Sequence, residues 1–173
     1  ILVDTQRVVM DAVKRIPPSL NRYRATLPHQ PYVAPPPQTK LLPPQVTAEE
    51  LHRILEEHSR EPVWHVLVDA ITGISPLLGR EITARALGAG DSMANNPAQQ
   101  AEKILAVLPY FIGLPETHAW EPCVALDECG QITAFAPYRL THLGKIEEMP
   151  SISGAIVRYL EERQKGDAYR PVR

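Results

Sequence analysis

The prolines of this chain concentrate between Pro17 and Pro44, and they decide what its first quarter can become. Each proline fixes φ and removes a backbone donor, so Pro17-Pro18 and Pro35-Pro36-Pro37 exclude both helix and central strand. The segment is expected to lie along a surface in extended or polyproline form. Before it, Ile1-Leu2-Val3 and Val8-Val9-Met10 flank Asp4-Thr5-Gln6-Arg7, the pattern of a short strand hairpin. An apolar run that starts flush with Ile1, with no Met, reads as a piece of a longer chain. The polar stretch from Asp167 to Arg173, with Pro171, reads as a tail or the stub of a linker.

Downstream the pattern changes to helix. Thr47-Ala48-Glu49-Glu50 has the form of a capping box, with the Thr47 hydroxyl on the Glu50 amide and the Glu50 carboxylate reaching back. Leu51, Ile54 and Leu55 then share one face, while Glu56, Glu57, His58 and Arg60 face water. Two further apolar patterns, Trp64, Leu67, Val68, Ile71 and Leu77, Leu78, Ile82, Ala86, are joined by the tight turn Thr72-Gly73-Ile74-Ser75. This predicts a helix-hairpin-helix. Gly88 to Asn95 is small and polar, hence a surface loop. Asn96-Pro97 starts another helix, with Ile104, Leu105, Val107 and Leu108 as its apolar face.

The last third returns to strand. Residues 122–126 and 131–135 flank Asp127-Glu128-Cys129-Gly130, a hairpin with Gly where positive φ is tolerated. Ser151 then caps a final helix whose buried stripe should be Ile152, Ala155, Ile156, Tyr159 and Leu160. The expected fold class is therefore α+β, in three parts. Residues 1–46 are strands with an extended Pro-rich segment, 47–112 a helical lobe with the helix-hairpin-helix, and 113–173 a β-hairpin with a C-terminal helix.

Composition limits the function classes. A hydrophobic fraction of 44% in 173 residues suffices for a packed core in one domain or two small lobes. The net charge of −2 excludes bulk attraction to nucleic acid, so any such contact must use a local patch. One exists: residues 1–46 carry Arg7, Lys14, Arg15, Arg22, Arg24 and Lys40 against Asp4 and Asp11, a net +4, leaving −6 for the rest. Cys123 and Cys129 are too few for a disulfide scaffold or a zinc site, and read as a reduced pair of a cytosolic protein. The six histidines show no metal spacing, and no run of about 18 apolar residues or signal peptide is present. With no local catalytic signature either, the expectation is a binding protein without cofactor, metal or enzymatic activity.

Two groups of residues are candidates for contact. Lys14, Arg15, Arg22 and Arg24 are suited to phosphates, and Tyr23 between two arginines is suited to stacking on a base. The same charges equally suit pinning the Pro-rich segment to acidic partners and carbonyls of its own domain. In the hairpin turn, Gly73, Ile74 and Ser75 can offer N–H groups to a phosphate, with Arg80 nearby. Yet the turn lacks a second Gly, Pro76 removes a donor, and Glu81 opposes Arg80. Pro76 is also what simple helix initiation requires.

The same residues match a family. Lys14, Arg15, Pro17, Pro18, Ser19, Asn21, Arg22, Tyr23 and Arg24, followed by Tyr32, Pro35, Pro36, Pro37 and Lys40, resemble its K-R-[VI]-P-P-S-x-N-R-Y-R and Y-x-x-P-P-P-x-x-K pattern. The segment from Asp69 to Ala86 resembles its G-[LI]-S-P-L-L-x-R-E element, and residues 134–143 its F-x-P-x-x-L-x-H-L element. These three motifs, in order over essentially the whole chain, resemble the NFACT N-terminal domain family, long labelled the fibronectin-binding protein A N-terminal domain. The resemblance implies a first lobe like that of formamidopyrimidine-DNA glycosylases, followed by a helix-hairpin-helix lobe. It also implies a ribosome-quality-control role: binding tRNA and the obstructed large ribosomal subunit for C-terminal alanine tailing. In the family, an Asp-Arg pair tied to tRNA engagement precedes the segment matching Ile1, and a coiled coil and a second RNA-binding domain follow. Two other readings have different grounds. The old label suggests an adhesin that binds fibronectin, and the glycosylase-like lobe suggests DNA processing by analogy of fold alone.

Overall fold

The computed structural model describes residues 1–36 and 39–167, so Pro37 and residues 168–173 of the expected tail lie outside the described residues. The chain divides into two compact units, residues 1–39 and 40–173. The boundary falls ahead of residue 46.

The smaller unit begins with the expected hairpin. β1 (Leu2–Val3) pairs antiparallel with β2 (Val9–Asp11), and Asp4 closes the turn by accepting N–H groups from Gln6 and Val8 at 2.9 and 2.8 Å. The Pro-rich segment has no regular element and is pinned by backbone bonds instead. His29 N–H donates to Val9 O, Val9 N–H to Gln30 O and Tyr32 N–H to Arg7 O, at 2.7–2.9 Å. Proline supplies no donor, so the intervening residues make these bonds.

The larger unit is a mixed helix–sheet body with one main core. After a single 3-10 turn at Pro43–Gln45 come α1 (Ala48–Glu57), α2 (Val63–Ala70), α3 (Pro76–Leu87) and α4 (Pro97–Ile112). A short α5 (Leu114–Thr117) leads to β3 (Cys123–Leu126), β4 (Ile132–Ala136) and β5 (Lys145–Glu148), and α6 (Ile152–Asp167) ends the described chain. Leu51, Leu55, Leu67, Ile82, Ile104 and Leu108 from four helices share that core with Cys123, Ala125 and Ala136 of the sheet. The helical and β-rich parts expected at 47–112 and 113–173 therefore bury a common interior.

Several expectations change on contact with the rest of the chain. Thr47 caps α1 through Glu50 N–H at 3.2 Å, but Glu50 does not reach back. Its carboxylate instead takes Arg53 at 2.6 Å, so half of the capping box forms. The loop Gly88–Asn95 is not wholly superficial: Ala94 is fully buried, because Ala94 N–H reaches Glu61 O and Val63 N–H reaches Ser92 O. The hairpin of β3 and β4 turns at Gly130 (φ 80°) as expected, but it belongs to a three-stranded antiparallel sheet in the order β4-β3-β5. Among the described residues of α6, Ala155 is fully buried; Ile152 and Tyr159 are half-buried, while Ile156 and Leu160 of the expected stripe are exposed. The sheet covers a narrower strip of the helix than its apolar pattern offers. The two cysteines are free, Cys123 buried and Cys129 exposed at the hairpin tip.

Two features fix α3 in place. Gly79 lies against α2, where an added Cβ would meet Trp64 O at 2.9 Å and Val68 Cγ2 at 3.3 Å; the helix backbones approach too closely for any side chain. Two residues on, Glu81 has no exposed surface. Its carboxylate accepts Arg85 Nε at 2.6 Å, Thr141 Oγ1 at 2.8 Å, Thr141 N–H at 2.7 Å and His142 Nδ1 at 2.7 Å. Burial pushes the Glu81 carboxyl up, but His142, Arg85 and Thr141 outweigh burial and hold its pKa below the usual value. Glu81 and His142 come from two of the motifs quoted above, which thus meet in one buried charge cluster. Tyr138 packs edge-on to Phe111 close by, and burial, with the Glu81 charge, pushes its hydroxyl up to about 12.

Candidate nucleic-acid interface

In the smaller unit the basic run becomes a closed loop. Thr26, almost fully buried, is its clasp: Ile16 N–H donates to Thr26 Oγ1 at 2.9 Å, Oγ1 donates to Lys14 O at 2.8 Å, and Thr26 N–H donates to Ile16 O at 2.9 Å. Between the clasped ends, Leu20 and Asn21 N–H turn back onto Pro17 O, and the Asn21 side chain accepts from Tyr23 N–H and Arg24 N–H at 3.1 and 3.0 Å. Pro17 and Asn21 thus accept the bonds of a tight, self-bonded tip.

The five predicted contact residues of this loop separate into two groups. Arg15 reaches back to Asp11 at 3.0 Å, and the Ala12 N–H, followed by Arg15, holds the Asp11 carboxyl below the usual carboxylate range. Arg24 donates Nε to Val33 O at 2.8 Å and lies over the Tyr32 ring at 5.7 Å, with Arg7 over the same ring at 6.0 Å. These two arginines serve the loop itself. Lys14, Arg22 and Tyr23 are exposed, Tyr23 by 60%, and their side chains have no hydrogen-bond or ion-pair partner among the described residues. With Leu20, which is 79% exposed, the tip presents an aromatic and an aliphatic side chain beside Arg22, and Lys14 is exposed at the clasped foot.

The hairpin of the larger unit is arranged otherwise. Gly73 takes φ 85°, and Ser75 caps α3 by accepting Leu78 N–H at 3.2 Å on its side chain and Gly79 N–H at 2.7 Å on its carbonyl. A strap at Lys40-Leu41 occupies the other side: Thr72 N–H donates to Leu41 O, Leu41 N–H to Ala70 O and Lys40 Nζ to Val68 O, each at 2.8 Å. Lys40, counted above in the basic patch, is therefore a cap for the last turn of α2. Gly73 and Ser75 are exposed, while Ile74 is buried in the core.

Arg80 stacks 4.1 Å over the Trp64 ring and pairs with Asp91 at 3.1 Å. Arg85 is held by Glu81 and by Arg139 O, over Tyr110 and Phe111. The cations of α3 are engaged within the unit. Sequence reasoning missed the Thr26 clasp and the partners of Glu81; the only signal for the latter was that Glu81 and His142 both stand in the quoted motifs.

Comparison with known proteins bears on what these surfaces serve. Over 87 residues, half of this chain but 15% of that protein, the chain is 36% identical to the Rqc2 homolog RqcH of Bacillus subtilis (strain 168). The crystal structure of the fibrinogen binding protein from Staphylococcus aureus superposes with a TM-score of 0.62 at 21% identity, over 91% of this chain and 53% of that one. At that identity the likeness is one of fold. The chain thus spans about half of the solved structure it matches, and the alignment a smaller part of the curated relative. Residues 1–172 match the family described as NFACT N-terminal and middle domains, and the chain belongs to that family.

Proposed function

We propose that this chain is the RNA- and ribosome-binding part of a ribosome-associated quality-control factor, acting in the cytoplasm on stalled large subunits and tRNA during C-terminal alanine tailing. It contributes binding rather than catalysis. Family membership and the similarity to the Rqc2 homolog support the class. The observation that carries the contact is the clasped loop: Arg22 and Tyr23 are exposed on a tip stiffened by its own hydrogen bonds, and Lys14 is exposed at its clasped foot. Cations held out of ion pairs among the described residues are available to phosphates, and the exposed Tyr23 next to Arg22 can stack on a base. Because the loop is already ordered, little conformational entropy is lost on binding.

In the larger unit the turn at Gly73 and Ser75 supports a weaker contact, since Arg80 is engaged by Trp64 and Asp91. The name of the staphylococcal structure revives the adhesin reading, but a likeness of fold carries no ligand with it.

Binding to tRNA and to large ribosomal subunits, at roughly 50 and 200 mM salt, tests the proposal. Affinity should fall steeply with salt, and Lys14→Glu/Arg22→Glu should flatten that dependence. Salt-insensitive binding to fibronectin, with none to RNA, would favour the adhesin reading. Binding to RNA that ignores both substitutions would remove the loop from the interface.

A further inference from the structure

We propose that the trough around Trp120 docks an extended peptide carrying a lysine or arginine beside proline or aliphatic residues. Trp120 is 43% exposed, an unusual position for the largest side chain in a domain with a well-filled core. The backbone holds it there. His118 adopts φ 53° and donates its N–H to Leu114 O, and Trp120 N–H closes a tight turn onto His118 O at 2.8 Å. His118 is the left-handed C-cap of α5, and this helix ending turns the chain so that Trp120 stays at the surface.

Two adjoining hollows share the indole. The larger, about 630 Å³, is lined by His118, Trp120, Pro122, Pro137, Pro150 and Ile152, a mostly apolar floor of rings and prolines. The smaller, about 250 Å³, adds Glu121, Arg139, Glu148 and Met149 around the same tryptophan. Prolines and an aromatic ring make the shallow grooves into which polyproline-type peptides settle, because such peptides are already extended and lose little entropy.

Charge selects the occupant. Glu121 and Glu148 face a single cation, Arg139, which reaches Glu148 at 3.3 Å, so the smaller hollow keeps a net negative charge beside the Trp120 face. An ammonium or guanidinium gains there from both the ring and the carboxylates. Glu121 also accepts the Tyr110 hydroxyl at 2.9 Å, and the net negative charge disfavours a phosphate backbone, so the observations favour a basic peptide over nucleic acid.

Anisotropy titrations with a labelled Lys-Pro-Leu repeat peptide test this, set against a Glu-Pro-Leu repeat and an oligouridylate. The Lys-Pro-Leu peptide should bind and the Glu-Pro-Leu peptide should not. Trp120→Ala should weaken binding about tenfold, the scale of one lost cation–π and stacking contact. Trp120→Phe should retain most of the affinity, and Glu148→Gln should weaken it a few-fold with a shallower salt dependence. Thermal unfolding of each variant checks that the half-exposed site leaves the fold intact. Absence of binding by the Lys-Pro-Leu peptide, equal binding by Trp120→Ala, or equal binding of the Glu-Pro-Leu peptide overturns the proposal. Oligouridylate binding that is lost in Trp120→Ala would overturn it in favour of a nucleic-acid stacking platform.

Discussion

Lys14 and Arg22 stand in solvent on a loop whose own bonds are made by Thr26, Asn21 and backbone carbonyls. On α3 the comparable cations, Arg80 and Arg85, are stacked on aromatic rings and paired with Asp91 and Glu81. Both regions carry arginines within family motifs, yet the loop engages only Arg15 and Arg24 and leaves Lys14 and Arg22 exposed. On α3 both charges serve the structure. A basic residue in a motif is therefore informative about binding only after its internal partners are known, and substitutions can separate the two cases.

The largest effect belongs to Glu81. Glu81→Ala would leave Arg85 and the buried His142 without their carboxylate and Thr141 N–H without its acceptor. Removing one partner of such a buried cluster costs about 3–5 kcal/mol, readable as a lower urea midpoint. The pH dependence has a fixed sign. Because the folded pKa of Glu81 lies below its ordinary 4.5, the carboxylate contributes stability in full above that value and loses it as pH falls through the folded pKa. Glu81→Gln should therefore be less stable at neutral pH and should lack this share of the acid dependence. Equal acid sensitivity in wild type and Glu81→Gln would mean that the cluster is not what the fold depends on.

Gly79→Ala comes next, with no charge involved. The new Cβ would meet Trp64 O at 2.9 Å, so α2 and α3 must move apart and Arg80 must shift from the indole. Overpacking of this kind costs about 1–3 kcal/mol, and a fall in Tm measures it. An unchanged Tm would show that the helices have room to separate, and that the close crossing is not required.

The sequence revealed one of these regions better than the other. The hairpin turn, Pro76 at the start of α3 and the apolar faces of α1 and α4 follow from local rules of period, capping and turn chemistry. So do the β1–β2 hairpin and the extended course of the Pro-rich segment. What escaped depends on distant partners. Lys145–Glu148 has Ile146 as its one aliphatic residue and becomes β5 only because β3 is there to pair with. Glu81 looks like a solvent-facing charge until Thr141, 60 residues away, donates to it. The apolar stripe of α6 is wider than its buried strip, since a periodic pattern marks a face but not how much of it a sheet will cover. For the candidate site, residue type identified the basic loop but could not tell Arg22, which is free, from Arg24, which is held by Val33 O.

Thr26→Val probes the loop's structure without touching a charge. It keeps the shape but loses the Oγ1 bonds to Ile16 N–H and Lys14 O, leaving a half-buried donor unpaired at a cost of about 1 kcal/mol. The smaller unit should then open locally, visible as faster proteolysis within residues 17–25, and RNA affinity should fall although every cation remains. Retained affinity would mean that the loop binds as a flexible basic segment.

Arg80→Ala and Arg22→Ala form the smallest and most discriminating pair. Arg80 is partly exposed, so losing its ring contact and its Asp91 partner should cost about 0.5–1 kcal/mol of stability. Its effect on the salt dependence of RNA binding should be nil. Arg22 has no partner among the described residues, so Arg22→Ala should leave the urea midpoint unchanged and reduce the salt slope by about 0.7–0.9, the share of one phosphate contact. The two substitutions remove the same charge, and only their internal partners differ. If both lowered the salt slope alike, the hairpin would belong to the RNA surface, and the stacked Arg80 would have to leave Trp64 to reach a phosphate.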